Sequence, residues 1–378
     1  RFLQIVNTCH ALARGGHRVV LAAGAPRGWS AERILGFYGL PPHANLSFVR
    51  LPILRRERAR FLRISWHGIF HTALLSFLVS ESRRGVGPAA LFVRHIKLAD
   101  FLLRWRRLHR LPVVFEIHEI FHLSTVNEKR RGRIEAQERR VYTGADGIVV
   151  LSEKLRRYLE GKGFSGPPIR VIPHGVRPEW FSVDRSGAGD FICYVGGLYR
   201  WKGVDTAIYA MRHLPGETLC VVGGGGRLEE LKALAAREGV ADRVRFVGAV
   251  PHGEVPGYLA KAKAALLPNV SEGPTEFAAP LKLVEYMAAG VPIVASDIPI
   301  YEEVVARETE ALLVTPGDPV ALAGAIRRLA GDPALAARLT GNEEDARDVV
   351  QEAYLRAWKG IRRFRGDARF TTWMYRIT

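Results

Sequence analysis

The sequence predicts an α/β protein built as two doubly wound domains in series. Three observations carry this. Short apolar strands alternate with helical runs from Val19 to Ile172. The alternation breaks at Ser182 to Asp190, SVDRSGAGD, which is polar and glycine-bearing. It then resumes from Phe191 to Val314. Strands alternating with helices are the pattern of parallel sheets covered on both faces. A chain of 378 residues fits two domains of roughly 150 residues each, with an appendage.

The elements follow in order. Phe2, Ile5, Val6, Cys9 and Leu12 share one helical face, which Gly15-Gly16 ends. Strands are predicted at Val19–Ala23, Leu46–Arg50, Ala89–Val93, Val113–Ile117, Gly147–Leu151 and Ile169–Ile172. A doubly wound domain ordinarily opens on a strand and glycine turn before such a helix. The chain therefore reads as truncated at its N-terminus. The absent strand belongs near the middle of its sheet, so apolar edges should be exposed. The second series of strands is Phe191–Val195, Thr218–Val222, Val244–Val247, Ala264–Pro268, Ile293–Ala295 and Ala311–Val314. The expected domains are 1–181 and 191–335, followed by a helical tail over 336–378.

The apolar content of 48% is enough for two cores. Cys9, Cys193 and Cys220 stand in no metal-ligand spacing, which points to a reducing, cytoplasmic compartment without a disulfide framework. No apolar run reaches ~18 residues. The net charge of +17 implies an acidic partner. Arg55, Arg56, Arg58, Arg60 and Arg63 lead into an apolar run with Phe61, Trp66, Phe70 and Phe77. That pattern suits either a peripheral position on the inner face of an anionic membrane or a buried helix with a solvated arginine edge.

The densest chemistry lies in Glu276 to Ser296, EFAAPLKLVEYMAAGVPIVAS. A proline-containing approach enters a helix at Leu281, and Gly290 stops it. The N–H groups of Leu281 to Leu283 and the helix dipole favour a phosphate there. Lys282 adds a full positive charge, and Glu285 is suited to hydroxyl groups. An ordinary helix with Leu281, Val284 and Met287 as core explains the periodicity but not Pro280, Lys282 and Glu285 together. A second site is CYVGGLYRWKGVD, residues 193–205, where a strand runs into Gly196-Gly197 and Lys202 precedes a helix. Glycines there let backbone approach a ligand closely. The cluster VVGGGG, which includes Gly224, fails the dinucleotide spacing. His118 and Glu119 close the strand in VVFEIHEIFH, at a carboxyl strand end where α/β proteins bind ligands.

Through PLKLVEYMAAGVPIVAS the chain resembles family 4 retaining glycosyltransferases of GT-B fold, two Rossmann-like domains facing a cleft. The resemblance implies hexose transfer from a nucleotide-sugar donor to a glycan or lipid-linked acceptor, with retention of configuration. It implies no metal and no other cofactor, in keeping with the lack of an Asp-x-Asp motif. It assigns the diphosphate to Lys202 and the Pro280–Leu283 turn, and ribose hydroxyls to Glu285. The family has two glutamates separated by seven residues. Here Phe277 takes the first place and Glu276 sits one residue early, against the sugar. His118 takes the place of a histidine that contacts donor sugar and acceptor. Gly196, Gly197, Gly224 and Pro251 of GAVPHGE fall on donor-side loops. Gly197 replaces a common arginine, for which Arg200 is a substitute. His174 of RVIPHG reads as a turn residue.

From about Arg338 the text changes. DARDVVQEAYLRAW and FTTWMYRI are similar to region 2 of extracytoplasmic-function sigma factors, which implies contact with RNA polymerase. The chain reads as a natural fusion, or as a join of two unrelated genes.

Overall fold

The computed structural model describes residues 2–24, 30–53, 66–85, 88–123, 125, 127–164, 166–173, 175–270, 280–302, 304–305 and 310–340. Arg55 to Arg63, His174, Glu276, Phe277 and the tail from 341 lie outside the described residues. The chain divides into two compact units between Ile172 and Pro173.

The first unit holds β1 (Val19–Ala23), β2 (Leu46–Arg50), β3 (Leu91–Val93), β4 (Val113–Ile117), β5 (Gly147–Val150) and β6 (Ile169–Val171). All pair in parallel. The expected strands are present, with β3 beginning at Leu91 rather than Ala89. A continuous sheet is not what forms. Among the described residues β1 and β2 make one sheet, and β3-β4-β5-β6 make another. No described strand pairs β1 with β3. Val20 and Phe92 are 38% and 46% exposed.

Two helices of this unit bury histidines. The opening helix, Phe2–Arg14, buries Val6, His10 and Ala13, while Ile5 and Cys9 pack at its flank. His10 is accommodated because its Nε2 meets the Pro41 carbonyl at 3.0 Å. Helix Trp66–Arg83 turns His71, Leu74 and Leu78 inward, and His71 packs on Phe101 with ring centroids 5.1 Å apart.

The second unit has β7 (Phe191–Val195), β8 (Leu219–Val222), β9 (Val244–Gly248), β10 (Ala262–Leu267), β11 (Ile293–Ser296) and β12 (Leu312–Val314). They form one parallel sheet in the order β12-β11-β10-β7-β8-β9. Alternation along each strand supplies both faces. Ile192 and Tyr194 of β7 join the core under helices Val204–Ala210, Leu228–Arg237 and Pro319–Gly331. Phe191, Cys193 and Val195 join the opposite core with helices Val255–Lys261 and Leu281–Ala288. Cys193 and Cys220 are register partners across β7 and β8, both free and buried.

The polar stretch around Ser182–Asp190 has anchors that its composition hides. Just before it, Val176 and Trp180 enter the core of the second unit, and Trp180 is only 1% exposed. The Arg185 guanidinium donates to the carbonyls of Leu259 at 3.1 Å and Ala262 at 2.9 Å.

Strand order reverses between β7 and β10. In a doubly wound sheet ligands bind beyond the carboxyl ends of the strands at that switch point. The turn after β7 and the loop after β10 are where the chemistry is expected.

Candidate functional site

The turn after β7 is built by packing. The Tyr194 hydroxyl donates to the Gly197 carbonyl at 2.9 Å. The Val195 N–H donates to the buried Tyr286 hydroxyl at 2.9 Å, which ties the end of β7 to helix Leu281–Ala288. The turn after β8 is stitched to it, since Leu198 N–H donates to the Gly224 carbonyl at 3.1 Å, and is tied on its other side to the end of β9, since Gly223 N–H donates to the Gly248 carbonyl at 2.8 Å.

The glycine that this junction requires is Gly223, not Gly224. Gly223 has φ of +149°, and a Cβ there would lie 1.8 Å from the Gly196 carbonyl oxygen. A Cβ at Gly224 meets only ordinary contact, with Ala249 at 3.4 Å. Gly223→Ala is expected to destabilise the fold by about 3 kcal/mol through strain and overlap. Gly224→Ala should stay within about 1 kcal/mol. Urea denaturation of the two variants checks the difference.

Lys202 ends a single 3₁₀ turn, Arg200–Lys202, and Gly203 at φ 65° leads into helix Val204–Ala210. The close approach of Gly203 to the Pro268 carbonyl holds this turn against the loop after β10. The Lys202 ammonium lies 4.1 Å from the Trp201 ring centroid. Burial first, and then the neighbouring Lys282, push its pKa down to about 8. Arg200 and Tyr199 are exposed, with Tyr199 stacked on Trp201.

Helix Leu281–Ala288 is buried almost all round. Leu283, Val284, Glu285, Tyr286 and Ala288 are inside, while Leu281 and Met287 are only partly covered. The expected core positions are thus too few, because the helix lies under a sheet and beside the segment around Trp180. Gly290, at φ 62°, ends it.

Glu285 has 2% side-chain exposure, and both its oxygens are occupied. Oε1 lies 2.9 Å from His252 Nε2, and Oε2 lies 2.7 Å from the Lys282 ammonium. Burial alone would raise this carboxyl's pKa, but the Lys282 charge and the His252 hydrogen bond outweigh it and hold it below the ordinary glutamate value. The structure therefore presents Glu285 as the group that positions Lys282 and His252.

His252 is the residue that sequence reasoning passed over. Arg177 Nη2 lies 3.5 Å from its Nδ1, and its ring packs on Trp180 at 5.3 Å. With Nδ1 accepting from Arg177, the ring proton is assigned to Nε2 and donated to Glu285. The sole sequence signal was its place beside Pro251 in GAVPHGE. Pro251 itself is exposed, and its carbonyl accepts from Glu254 N–H at 3.0 Å. His252→Leu should cost about 1–3 kcal/mol by stranding one buried Glu285 oxygen, whereas His252→Gln retains a donor and recovers most of it. Thermal unfolding of both variants tests this.

His118 lies in the first unit at the end of β4, as expected. Arg94 Nε donates to its Nε2 at 2.6 Å, and Arg94 Nη2 pairs with Glu116 at 2.9 Å. Gln4 of the opening helix accepts from the same Nη2 at 3.2 Å. Sequence reasoning did not anticipate Arg94, Glu116 and Gln4 as its neighbours. Among the described residues no cluster of three or more metal-ligating side chains occurs.

A switch point furnished with two lysines and a helix N-terminus suits a phosphate-bearing ligand. Residues 4–175 match the family described as Glycosyl transferase 4-like domain, and residues 177–346 match Glycosyl transferases group 1. Lipopolysaccharide core biosynthesis glycosyltransferase LpsD of Rhizobium meliloti is 30% identical over 288 residues, covering 69% of this chain and 80% of that protein. The 2-deoxystreptamine glucosyltransferase of Streptomyces kanamyceticus is 30% identical over 231 residues, covering 56% of this chain and 58% of that one. The chain thus spans less than two thirds of the latter's length. The solved sucrose-phosphate synthase of Thermosynechococcus elongatus superposes with a TM-score of 0.74 at 22% identity, over 98% of this chain and 92% of that one. The chain belongs to the group 1 glycosyltransferases and has the GT-B fold. Residues 334–378 match Sigma-70 region 2, overlapping the end of the glycosyltransferase match.

Proposed function

We propose that the chain transfers a hexose-type sugar from a nucleotide-sugar to a polysaccharide or lipid-linked acceptor, retaining configuration and using no metal. The observation that carries this is that Lys202, after β7, and Lys282, in the first turn of helix Leu281–Ala288, are near enough at the switch point of the second sheet for the charge of Lys282 to act on Lys202. Their charges and the dipole of the helix at Leu281 suit a leaving diphosphate, whose charge grows in the transition state. In this reading Gly196, Gly197 and Gly224 line the donor turns, and Arg200 and Pro251 lie at their rim. Glu285 holds the ribose edge through the hydrogen bonds it organises, while Glu276 and His118 address the sugar. The cytoplasm, where sugar nucleotides are made, is the proposed location.

The test is release of UDP or GDP from a panel of sugar nucleotides. Lys202→Ala and Lys282→Ala should each lower kcat/KM by roughly 10²–10³. Turnover unchanged in both would overturn the site.

The Sigma-70 region 2 match supports a second activity, contact of the tail with RNA polymerase. Retention of polymerase by the full chain, and its loss on deleting residues 341–378, is the expected result. Equal retention by both forms would remove this reading.

A further inference from the structure

We propose that one face of the first unit, centred on Trp105 and Leu108, is a docking surface for an anionic lipid bilayer. It is assembled where the end of helix Trp66–Arg83 meets helix Ile96–Arg104 and the helical turn Arg106–His109. Trp105 and Leu108 are 47% and 53% exposed, among the largest exposures of any apolar side chains described. Leu108 lines a shallow depression with Leu75, Val79, Arg83 and Arg84. On the other flank of the turn a second depression is lined by Arg107, Arg110 and Leu111.

The charges around this apolar centre are predominantly basic, and three of the six arginines are paired. Arg104 and Arg106 pair with Asp100 and Asp146, and Arg84 pairs with Glu81. Among the described residues Arg83, Arg107 and Arg110 are exposed and make no ion pair. Arg110 also stands at φ 54°, the one described non-glycine residue at positive φ. That backbone favours glycine or asparagine, so the arginine there stands against local preference. Apolar side chains ringed by cations match the boundary between headgroups and acyl chains. The basic-aromatic segment first noted in the sequence shares a helix with this face, since Trp66, Phe70 and Phe77 belong to Trp66–Arg83, whereas Arg55 to Arg63 lie outside the described residues. A nucleic acid would use the arginines but gain little from Leu108.

The surface is independent of sugar transfer, so its failure leaves the donor-site reading standing. The test is sedimentation of the full chain with phosphatidylcholine vesicles, with and without phosphatidylglycerol, at physiological salt. Binding is expected only with phosphatidylglycerol. Arg107→Glu/Arg110→Glu should weaken it roughly tenfold or more. Trp105→Ser/Leu108→Ser should weaken it about tenfold. Nucleotide affinity and circular dichroism should match the parent chain in each variant, which controls for folding. The proposal is overturned if either pair binds vesicles like the parent. It is also overturned if pure phosphatidylcholine binds equally well. Single-stranded RNA that binds more tightly than vesicles and ignores Trp105 and Leu108 would assign the face to nucleic acid instead.

Discussion

Glu285→Ala is expected to destabilise the second unit by about 3 kcal/mol and to abolish measurable nucleotide binding. The carboxylate is buried, with Oε1 hydrogen-bonded to His252 and Oε2 ion-paired with Lys282. Breaking a buried pair by removing one member typically costs ~3–5 kcal/mol, because the remaining member keeps its desolvation penalty. The lower end applies here. The Lys282 side chain is 24% exposed and can turn to solvent, whereas His252, at 10%, cannot. Glu285→Gln keeps the volume and one acceptor, so it should lose less stability than alanine while still misplacing Lys282. The sign of the pH dependence follows from the depressed carboxyl. Its folded pKa lies below its unfolded value, so its contribution is fully present above the ordinary glutamate range. That contribution is lost as pH falls through the folded value. Urea denaturation of parent and variants at neutral and acid pH measures it. Equal stability of Glu285→Ala and parent at pH 7 would show that the cluster does not hold the site.

Lys202→Ala is expected to act in opposite directions on stability and binding. Burial and Lys282 hold this lysine near pKa 8, against roughly 10.4 in an unfolded chain. Below pH 8 the ligand-free fold carries a charge that its surroundings disfavour. Removing it should stabilise the ligand-free protein by about 2 kcal/mol at pH 7, allowing for partial solvent access. Between pH 8 and about 10.4 the unfolded chain binds more protons than the folded one, so this group makes stability rise with pH. Lys202→Ala should lack that rise. A diphosphate reverses the preference, since an anion draws the proton back onto the lysine. Nucleotide affinity should therefore fall as pH rises above 8. Binding near pH 8 should take up roughly half a proton. Calorimetry of UDP or GDP in buffers of different ionisation enthalpy reads that proton. No uptake in the parent chain would remove Lys202 from the diphosphate. A group whose surroundings work against its charged state in the absence of ligand is a frequent mark of a functional site.

Much of this was legible in the chain. Strand periodicity is local, so the strands of both units were read to within two residues at each end. The run PLKLVEYMAAGVPIVAS carried its own helix start, its glycine stop and its lysine. Lys202 could be placed because a strand, a glycine pair and a helix start follow one another without interruption. His252 could not, since it meets Glu285 from 33 residues away and Arg177 from 75. Nor could Tyr286, whose hydroxyl fastens the end of β7 across 91 residues. In VVGGGG the composition is uniform, and only the backbone distinguishes Gly223, pressed on Gly196, from Gly224.

By itself, then, the sequence determined the α/β class, the order of strands along the chain and the charged groups suited to a diphosphate. These rest on periodicity, turn chemistry and helix ends, which act over a few residues. The tertiary structure alone decided that Glu285 serves Lys282 and His252. It also decided that the strands of the first unit part into two sheets, and that Trp105 and Leu108 stay uncovered among arginines. Each depends on which distant surfaces meet when strands cross over and pair, and neither pairing nor burial is written in local spacing.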